Sequence, residues 1–208
     1  MLNLPAKASV GRNMPKDAFY KHLSLSSELR EKFISDIKRI VLEYKLSPDT
    51  LNIEKNGETT EILVLSIELK KQEPDYRLVE NIARQNAHKL LFLLKFQEQG
   101  QLALYYGKLY KTDWTPLIDL RLEARGLNLD SIWEGFIEQI ALQENIIPSC
   151  NILTVDEKLK KQDTILKLQK EIDKLERLSR NEKQPKKRFE LFTQLQGLKK
   201  KLAEEKGE

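Results

Sequence analysis

Three residues have the types that a metal-dependent nuclease uses. Asp49 follows Pro48, and Glu68 and Lys70 stand two positions apart in the stretch Glu68-Leu69-Lys70. In such an enzyme the two carboxylates hold Mg²⁺ and the lysine steadies the attacking water. The order of the predicted elements around them, helix, strand, strand, helix, strand, is close to the core of a PD-(D/E)xK-like nuclease.

The spacing of these residues weakens the nuclease hypothesis. A tight turn at Asn56-Gly57 places Asp49 opposite Val64, about 13 Å from Glu68 at roughly 3.3 Å per residue. That distance is too long for two ligands of one metal ion, although a longer loop through Thr60 would restore the register. Mg²⁺ is the only cofactor that this hypothesis implies, and the rest of the sequence indicates none.

A second group of charged residues lies near the C-terminus, around Pro185. Five cations surround this predicted bend, against the single acid Glu182: Arg180, Lys183, Lys186, Lys187 and Arg188. The group fits a solvated turn, and it equally fits a surface that contacts phosphate groups or a protein partner. Both interpretations stay open at this stage.

Other familiar site chemistries lack their residues. One cysteine, Cys150, and two histidines, His22 and His88, are too few for a zinc tetrad. The eight glycines form no phosphate-binding loop, and no Gly-x-Ser-x-Gly nucleophile elbow occurs. We therefore expect no catalytic residues outside the nuclease alternative, and the leading hypothesis is a protein that is not an enzyme.

The apolar and charged residues are distributed as in a cytoplasmic protein of two parts. The longest apolar runs have four or five residues, against about 20 for a membrane span, and no secretory signal is expected. The segment 156–208 has 16 Lys and Arg against 11 Asp and Glu, whereas residues 1–155 have 20 against 21. We predict an α+β globular domain over 1–150 and a basic helical hairpin over 151–208.

The predicted sheet centres on one crossover. Thr60–Lys70 and His88–Phe96 have the short apolar runs of central strands, and Asp75–Asn86 has helical spacing between them. A strand, a helix and a strand in one sheet form a right-handed parallel unit. Gln97–Gln101 then turns the chain into a further strand over Leu102–Tyr110.

The predicted flanking elements are helices and short strands. Ser26 or Ser27 caps a helix that extends to about Tyr44, with an apolar stripe of Leu29, Phe33, Ile37, Ile40, Val41 and Tyr44. Leu51–Lys55 is predicted as a strand that enters a hairpin turn at Asn56-Gly57. The N-terminal segment Met1–Asn13 is expected to be irregular, and Met14–Ser24 fits a short helix or an edge strand.

The last predicted elements are three helices. Asn128 or Asp130 caps the first, whose apolar face packs on the sheet. After a linker over Leu142–Leu153, two charged helices separated by Pro185 form an antiparallel, coiled-coil-like hairpin. Their apolar stripes, which we also expect to give a partner its contact area, consist of Ile165, Leu168, Ile172, Leu175, Leu191, Leu195, Leu198 and Leu202.

Several segments resemble the bacterial family known as domain of unknown function 4391. They are Pro15-Lys16 with Phe19-Tyr20, Leu46-Ser47-Pro48, Leu91-Phe92, Asp113-Trp114 and the run LQKEIDKLERLSRNEKQPKKRFEL. The resemblance covers almost the whole chain. It implies genes for helicases and DNA methyltransferases nearby, in restriction-like or antiphage defence clusters, and it brings no catalytic residues with it.

The leading hypothesis is therefore a non-catalytic accessory or adaptor subunit of a defence or restriction-modification-like assembly. Its C-terminal hairpin would bind a protein partner, a helicase or methyltransferase of the same gene cluster. The alternatives are a nucleic-acid-binding protein that uses the basic bend, and the nuclease.

Overall fold

The computed structural model describes residues 2–17, 19, 23–142 and 153–206. The chain divides into two compact units, Met1–Ala141 and Leu142–Glu208. Within the described residues the first unit is a mixed sheet with helices, and the second is a pair of antiparallel helices. The predicted class, α+β with a mixed sheet and a C-terminal helical hairpin, is confirmed.

One mixed sheet forms the first unit. Its strands follow chain order from β1 to β6, and β7 pairs with β5. Only β3 and β4 are parallel among these pairs, and the other pairs are antiparallel. The strands are β1 (Ser9–Met14), β2 (Ile37–Leu46), β3 (Ile62–Leu69), β4 (Lys89–Phe96), β5 (Gln99–Tyr106), β6 (Lys108–Lys111) and β7 (Thr115–Pro116).

Four α-helices whose bounds lie within the described residues accompany the sheet in the first unit, and a 3₁₀ turn spans Ala6–Ala8. They are α1 (Ser27–Asp36), α2 (Pro48–Leu51), α3 (Arg77–Arg84) and α4 (Leu129–Ala141), and the hairpin consists of α5 (Val155–Asn181) and α6 (Pro185–Lys206).

The predicted crossover is confirmed: β3 leads through α3 into the parallel strand β4. One face of β3 contributes Leu65, Ile67 and Leu69 to a core that also contains Phe33 of α1 and Leu78 of α3. The helix α4 packs on β5 and β6, as expected. Its buried residues are Leu129, Ile132, Trp133, Phe136, Ile137, Ile140 and Ala141.

The helix predicted to extend to Tyr44 is wrong beyond its first ten residues. Ser26 caps α1 by accepting from the Leu29 amide at 3.3 Å, but the helix ends at Asp36 and the chain continues as β2. A bulge between Ile37 and Arg39 puts Ile37 and Ile40 opposite Leu69 and Ile67, on one face of the sheet. Two core residues three positions apart therefore imitate helical spacing, although they lie in a strand.

The predicted strand Leu51–Lys55 is also absent, since the antiparallel neighbour of β3 is β2. Ser47 caps the short helix α2, and Gly57 has a φ of +101° in the loop that follows. Asp130 of α4 anchors this loop by accepting from the amides of Glu58 at 2.8 Å and Thr59 at 3.0 Å. The pair Asn56-Gly57 therefore marks a loop that hydrogen bonds to Asp130 hold against α4.

The ends of the first unit differ from the prediction in two places. The expected irregular segment Met1–Asn13 contains most of β1, an edge strand that pairs with β2. The expected strand Leu102–Tyr110 is two strands, β5 and β6, because Gly107 turns the chain at a φ of +69°. The predicted linker Leu142–Leu153, together with Cys150, His22 and Tyr20, lies mostly or wholly outside the described residues.

Candidate interaction surface on the helical hairpin

The turn between α5 and α6 is short and polar. The helix α5 ends at Asn181, and α6 begins at Pro185, whose fixed φ and missing amide proton suit the first helical position. Between them Glu182 accepts from the Gln184 amide at 2.8 Å. This arrangement brings the predicted basic bend to one end of the hairpin.

The predicted apolar stripes lie along the two helices of the hairpin. All eight positions are buried or half-buried, and Ile165, Ile172 and Leu195 are almost fully covered. The Nζ atom of Lys199 on α6 lies 2.8 Å from an Oε of Glu176 on α5 and holds the pKa of Glu176 below its ordinary value. The burial leaves little of the stripes for a partner, so a partner would need other side chains.

The five cations of the bend are all exposed. Arg180 lies 3.7 Å from Glu176 one turn earlier in α5. In the described part of the chain, no carboxylate lies within salt-bridge distance of the other four, Lys183, Lys186, Lys187 and Arg188. We call these five cations the basic tip.

Two exposed phenylalanines follow the basic tip, and the sequence reasoning missed them. Phe189 is 71% exposed and Phe192 is 50% exposed, and both lie in the first turns of α6. Residues three apart lie on the same helical face, with Cβ atoms about 5–6 Å apart. The sequence does contain a signal for these rings. They lie outside the apolar stripe that contains Leu191 and Leu195, at positions where a helix that only packs on its neighbour has polar residues.

A separate groove lies on the surface of α5. It has a volume of about 430 Å³, and all the residues that line it belong to α5. Leu178, one of its lining residues, is 48% exposed, and Asp173 also lines it. The cations around it are Lys170, Lys174 and Arg177, none of which has an ion-pair partner within the described residues.

The groove and the two phenylalanines lie on opposite sides of the hairpin. The Lys199–Glu176 pair marks one side. Phe192 precedes Lys199 by seven residues, about two turns, and so lies on that side, whereas Leu178 is two residues or about 200° from Glu176. The hairpin therefore presents two different surfaces.

The nuclease candidates do not come together. Glu68 is near the end of β3, whereas Ile62 at the start of β3 pairs with Leu46 of β2. Asp49 follows Leu46 by three residues in α2, so it lies near the opposite end of the strand from Glu68 and Lys70, about 20 Å away at 3.3 Å per residue. No metal ion can be shared over that distance.

Glu68 and Lys70 have other partners. Glu68 pairs with Lys38 at 2.6 Å and Arg39 at 3.2 Å, and the hydrogen bond from Lys38 lowers its pKa. The Nζ atom of Lys70 donates to the Ile34 carbonyl at 2.9 Å. Within the described residues, no group of three His, Cys, Asp or Glu side chains could hold a metal ion.

Asp36 is an acid whose backbone contacts Lys70, and no sequence motif indicates it. Its carbonyl accepts from the Lys70 amide at 2.8 Å, while its buried carboxylate bonds Ser35 at 2.7 Å, the Asp75 amide at 3.0 Å and Lys71 at 3.0 Å. These contacts join the end of α1 to the approach to α3. The role that this geometry supports for Asp36 is structural.

A further groove of about 500 Å³ lies at the amino ends of β3 and β4. Two of its titratable groups contact each other, since Glu61 lies 3.2 Å from Nδ1 of His88. Glu61 also lies 2.5 Å from Nζ of Lys45, which is outside the lining. Asp130, which also lines the groove, accepts from the amides of Glu58 and Thr59. Among the described helices, none is long and apolar enough to cross a bilayer.

The fold and the exposed hairpin define an α+β protein with a basic helical appendage. The family model described as domain of unknown function 4391 matches residues 2–202, and the chain belongs to that family. No curated protein and no solved structure matches the chain.

Proposed function

We propose that this protein is a non-catalytic accessory subunit of a bacterial defence or restriction-modification-like assembly in the cytoplasm, which binds a protein partner through its C-terminal hairpin. The observation that carries the proposal is the groove on α5. A half-exposed leucine beside three cations and one acid, Asp173, is an apolar contact with a mainly basic rim.

The hairpin suits this role because its own packing holds it together. The apolar stripes are covered, and the Glu176–Lys199 pair joins the two helices. A helix whose shape is fixed before binding loses less conformational entropy when a partner docks. The outer surface of α5 is then presented in a constant geometry.

The charge of the rim specifies the partner surface. Its three cations outnumber its one acid, Asp173. The rim therefore fits an apolar pocket with mainly acidic residues around it, because a basic surface there would repel the cations. We therefore propose that the helicase or DNA methyltransferase of the same gene cluster has an acidic, pocketed surface that receives Leu178. The rim cations accelerate association, and Leu178 sets the lifetime of the complex.

Co-expression of the tagged full-length protein with each of these two neighbouring subunits tests the proposal. We expect one subunit to co-elute with the wild-type protein, and Leu178→Asp to abolish the complex because it places a carboxylate in the apolar contact. Lys200→Glu, an exposed substitution far along α6, is the matched control and keeps the complex. Failure of both subunits to co-elute, or full binding by Leu178→Asp, contradicts the proposal.

A further inference from the structure

We propose that the tip of the hairpin is a second binding site, which takes single-stranded nucleic acid by stacking bases on Phe189 and Phe192. The site is distinct from the groove on α5 and does not depend on the protein partner. Its ligand is a flexible polyanion with open aromatic faces.

The charge of the tip selects a polyanion. From Arg180 to Phe192 the chain has five cations and the two acids Glu182 and Glu190. Four of the cations have no carboxylate partner in the described residues, so no ion pair in that part of the chain offsets their mutual repulsion. Backbone phosphates would offset it and release counterions as they bind.

The two rings distinguish a single strand from a duplex. Phe189 and Phe192 share one face of α6 and are half-exposed or more, directly after Lys186, Lys187 and Arg188. Aromatic rings beside a positively charged track are the arrangement that proteins use to bind unpaired bases. In a duplex the base faces are already stacked, so the rings would have no surface to contact.

An acidic protein segment is the competing ligand for a basic, aromatic surface. The basic tip is less suited to such a segment because of the types of its four unpaired cations, which lie in the turn and the first turn of α6. Bidentate pairs with carboxylates favour arginine, whereas three of these four cations are lysines, which act as point charges toward phosphates. A single-stranded nucleic acid therefore explains both features, because its bases stack on the rings and its phosphates attract the lysines.

Fluorescence anisotropy with a labelled oligothymidine of about 20 nucleotides tests the proposal with the full-length protein. We expect binding that weakens as salt rises from about 50 to about 200 mM. Phe189→Ala with Phe192→Ala should weaken binding by about tenfold or more while the salt dependence persists, because the phosphate contacts remain. Phe192→Trp should bind as well as the wild type, since the larger ring also stacks.

Charge reversal separates the contribution of the phosphates. Lys186→Glu with Lys187→Glu should weaken binding and flatten its salt dependence. Lys200→Glu with Lys201→Glu, the same charge change on the same helix, is the matched control and should bind as the wild type does. Circular dichroism checks that all variants stay helical.

Three results would overturn the proposal. They are no binding at the lowest salt, equal affinity for the single strand and the matching duplex, and unchanged affinity when both phenylalanines are replaced. A tip that binds an acidic peptide but no oligonucleotide would assign the surface to a protein partner instead.

Discussion

At the scale of single residues, Asp36 of the first unit is a buried carboxylate that has several polar partners. Its side chain is 1% exposed. Burial alone would raise the pKa of this carboxyl group, but hydrogen bonds from Ser35, the Asp75 amide and Lys71 outweigh it and lower the pKa. The ionised carboxylate therefore stabilises the fold by holding α1 and the segment before α3 together.

Replacing this carboxylate with an amide should cost stability in a pH-dependent way. We expect Asp36→Asn to lower the free energy of unfolding by about 1–3 kcal/mol at pH 7, because the amide cannot pair with Lys71 and leaves a donor unsatisfied. A lowered native pKa gives stability that is present above the ordinary pKa and is lost as pH falls through the native pKa. The deficit should therefore stay constant down to about pH 5 and shrink below about pH 4.

Urea unfolding of the wild type and of Asp36→Asn, from about pH 7 to below about pH 4, measures this difference in the free energy of unfolding. The exposed Asp113→Asn is the control and should unfold as the wild type does. A deficit that grows on acidification would mean that the carboxylate is not stabilised by these contacts.

Gly57 is the second residue whose environment permits a sharp prediction. Its φ is +101°, and a Cβ atom added there would lie 1.9 Å from Oδ2 of Asp130. We expect Gly57→Ala to destabilise the protein by about 1–3 kcal/mol, from backbone strain together with loss of the Asp130 contacts to the loop. Thermal unfolding is the measurement.

Gly107→Ala separates the two causes. Gly107 also has a positive φ, +69°, but a Cβ atom there meets nothing within 4 Å. It should therefore show the strain alone and cost less than Gly57→Ala. In an Asp130→Ala background the cost of Gly57→Ala should fall toward that of Gly107→Ala, and an unchanged cost would exclude the steric explanation.

At the scale of elements, the sequence predicted those parts whose local pattern agrees with their packing. The strand β3, the crossover helix α3 and the parallel strand β4 follow from short apolar runs around one helical repeat. The helix α4 and the hairpin follow from stripes that the structure buries. In each case one face of the element meets the core, so the period is visible.

The strand β2 could not be predicted in this way because its period is broken twice. Register shifts occur between Ile37 and Arg39 and between Leu42 and Tyr44. Each shift moves the following residues to the opposite face, so the strand alternation is lost and a helical spacing appears by coincidence. A bulge depends on the neighbouring strand, which a local sequence pattern does not contain.

The candidate surfaces were predictable in part for a related reason. The basic tip is visible in the sequence as a cluster of like charges. Residues in such a cluster are expected to be exposed to solvent, so their exposure can be predicted from composition. The exposure of Phe189 and Phe192 depends on where the stripe of α6 lies relative to α5, which only the packed hairpin shows. Aromatic residues are assigned to a core by default, so these two were not considered as contacts.

At the scale of the whole molecule, the charge is concentrated in one unit. Residues 142–208 have 16 Lys and Arg against 12 Asp and Glu, whereas residues 1–141 have 20 of each. All of the net charge of +4 thus belongs to the unit that contains both proposed surfaces. A neutral sheet unit and a basic hairpin fit a protein whose appendage makes the contacts.

The opposite placement of the two surfaces predicts that their ligands bind independently. Leu178→Ala should weaken binding of the protein partner and leave the affinity for oligothymidine unchanged, and Phe192→Ala should do the reverse. Neither substitution alters charge, so long-range electrostatic effects do not confuse the comparison. Sites without shared contacts have free energies that add to within about 0.5 kcal/mol, so for each ligand the double variant should lose as much affinity as the one single variant that affects that ligand.

Affinity measurements with each ligand on the four proteins of this cycle give the coupling energy directly. A coupling energy well above about 0.5 kcal/mol, or weaker binding of both ligands by either single variant, would mean that one continuous surface binds both. Losses confined to one ligand in each single variant would instead assign Leu178 and Phe192 to different sites. Oligothymidine affinity that stays the same with saturating protein partner would then establish that the hairpin can hold a protein partner on α5 while a nucleic-acid strand occupies α6.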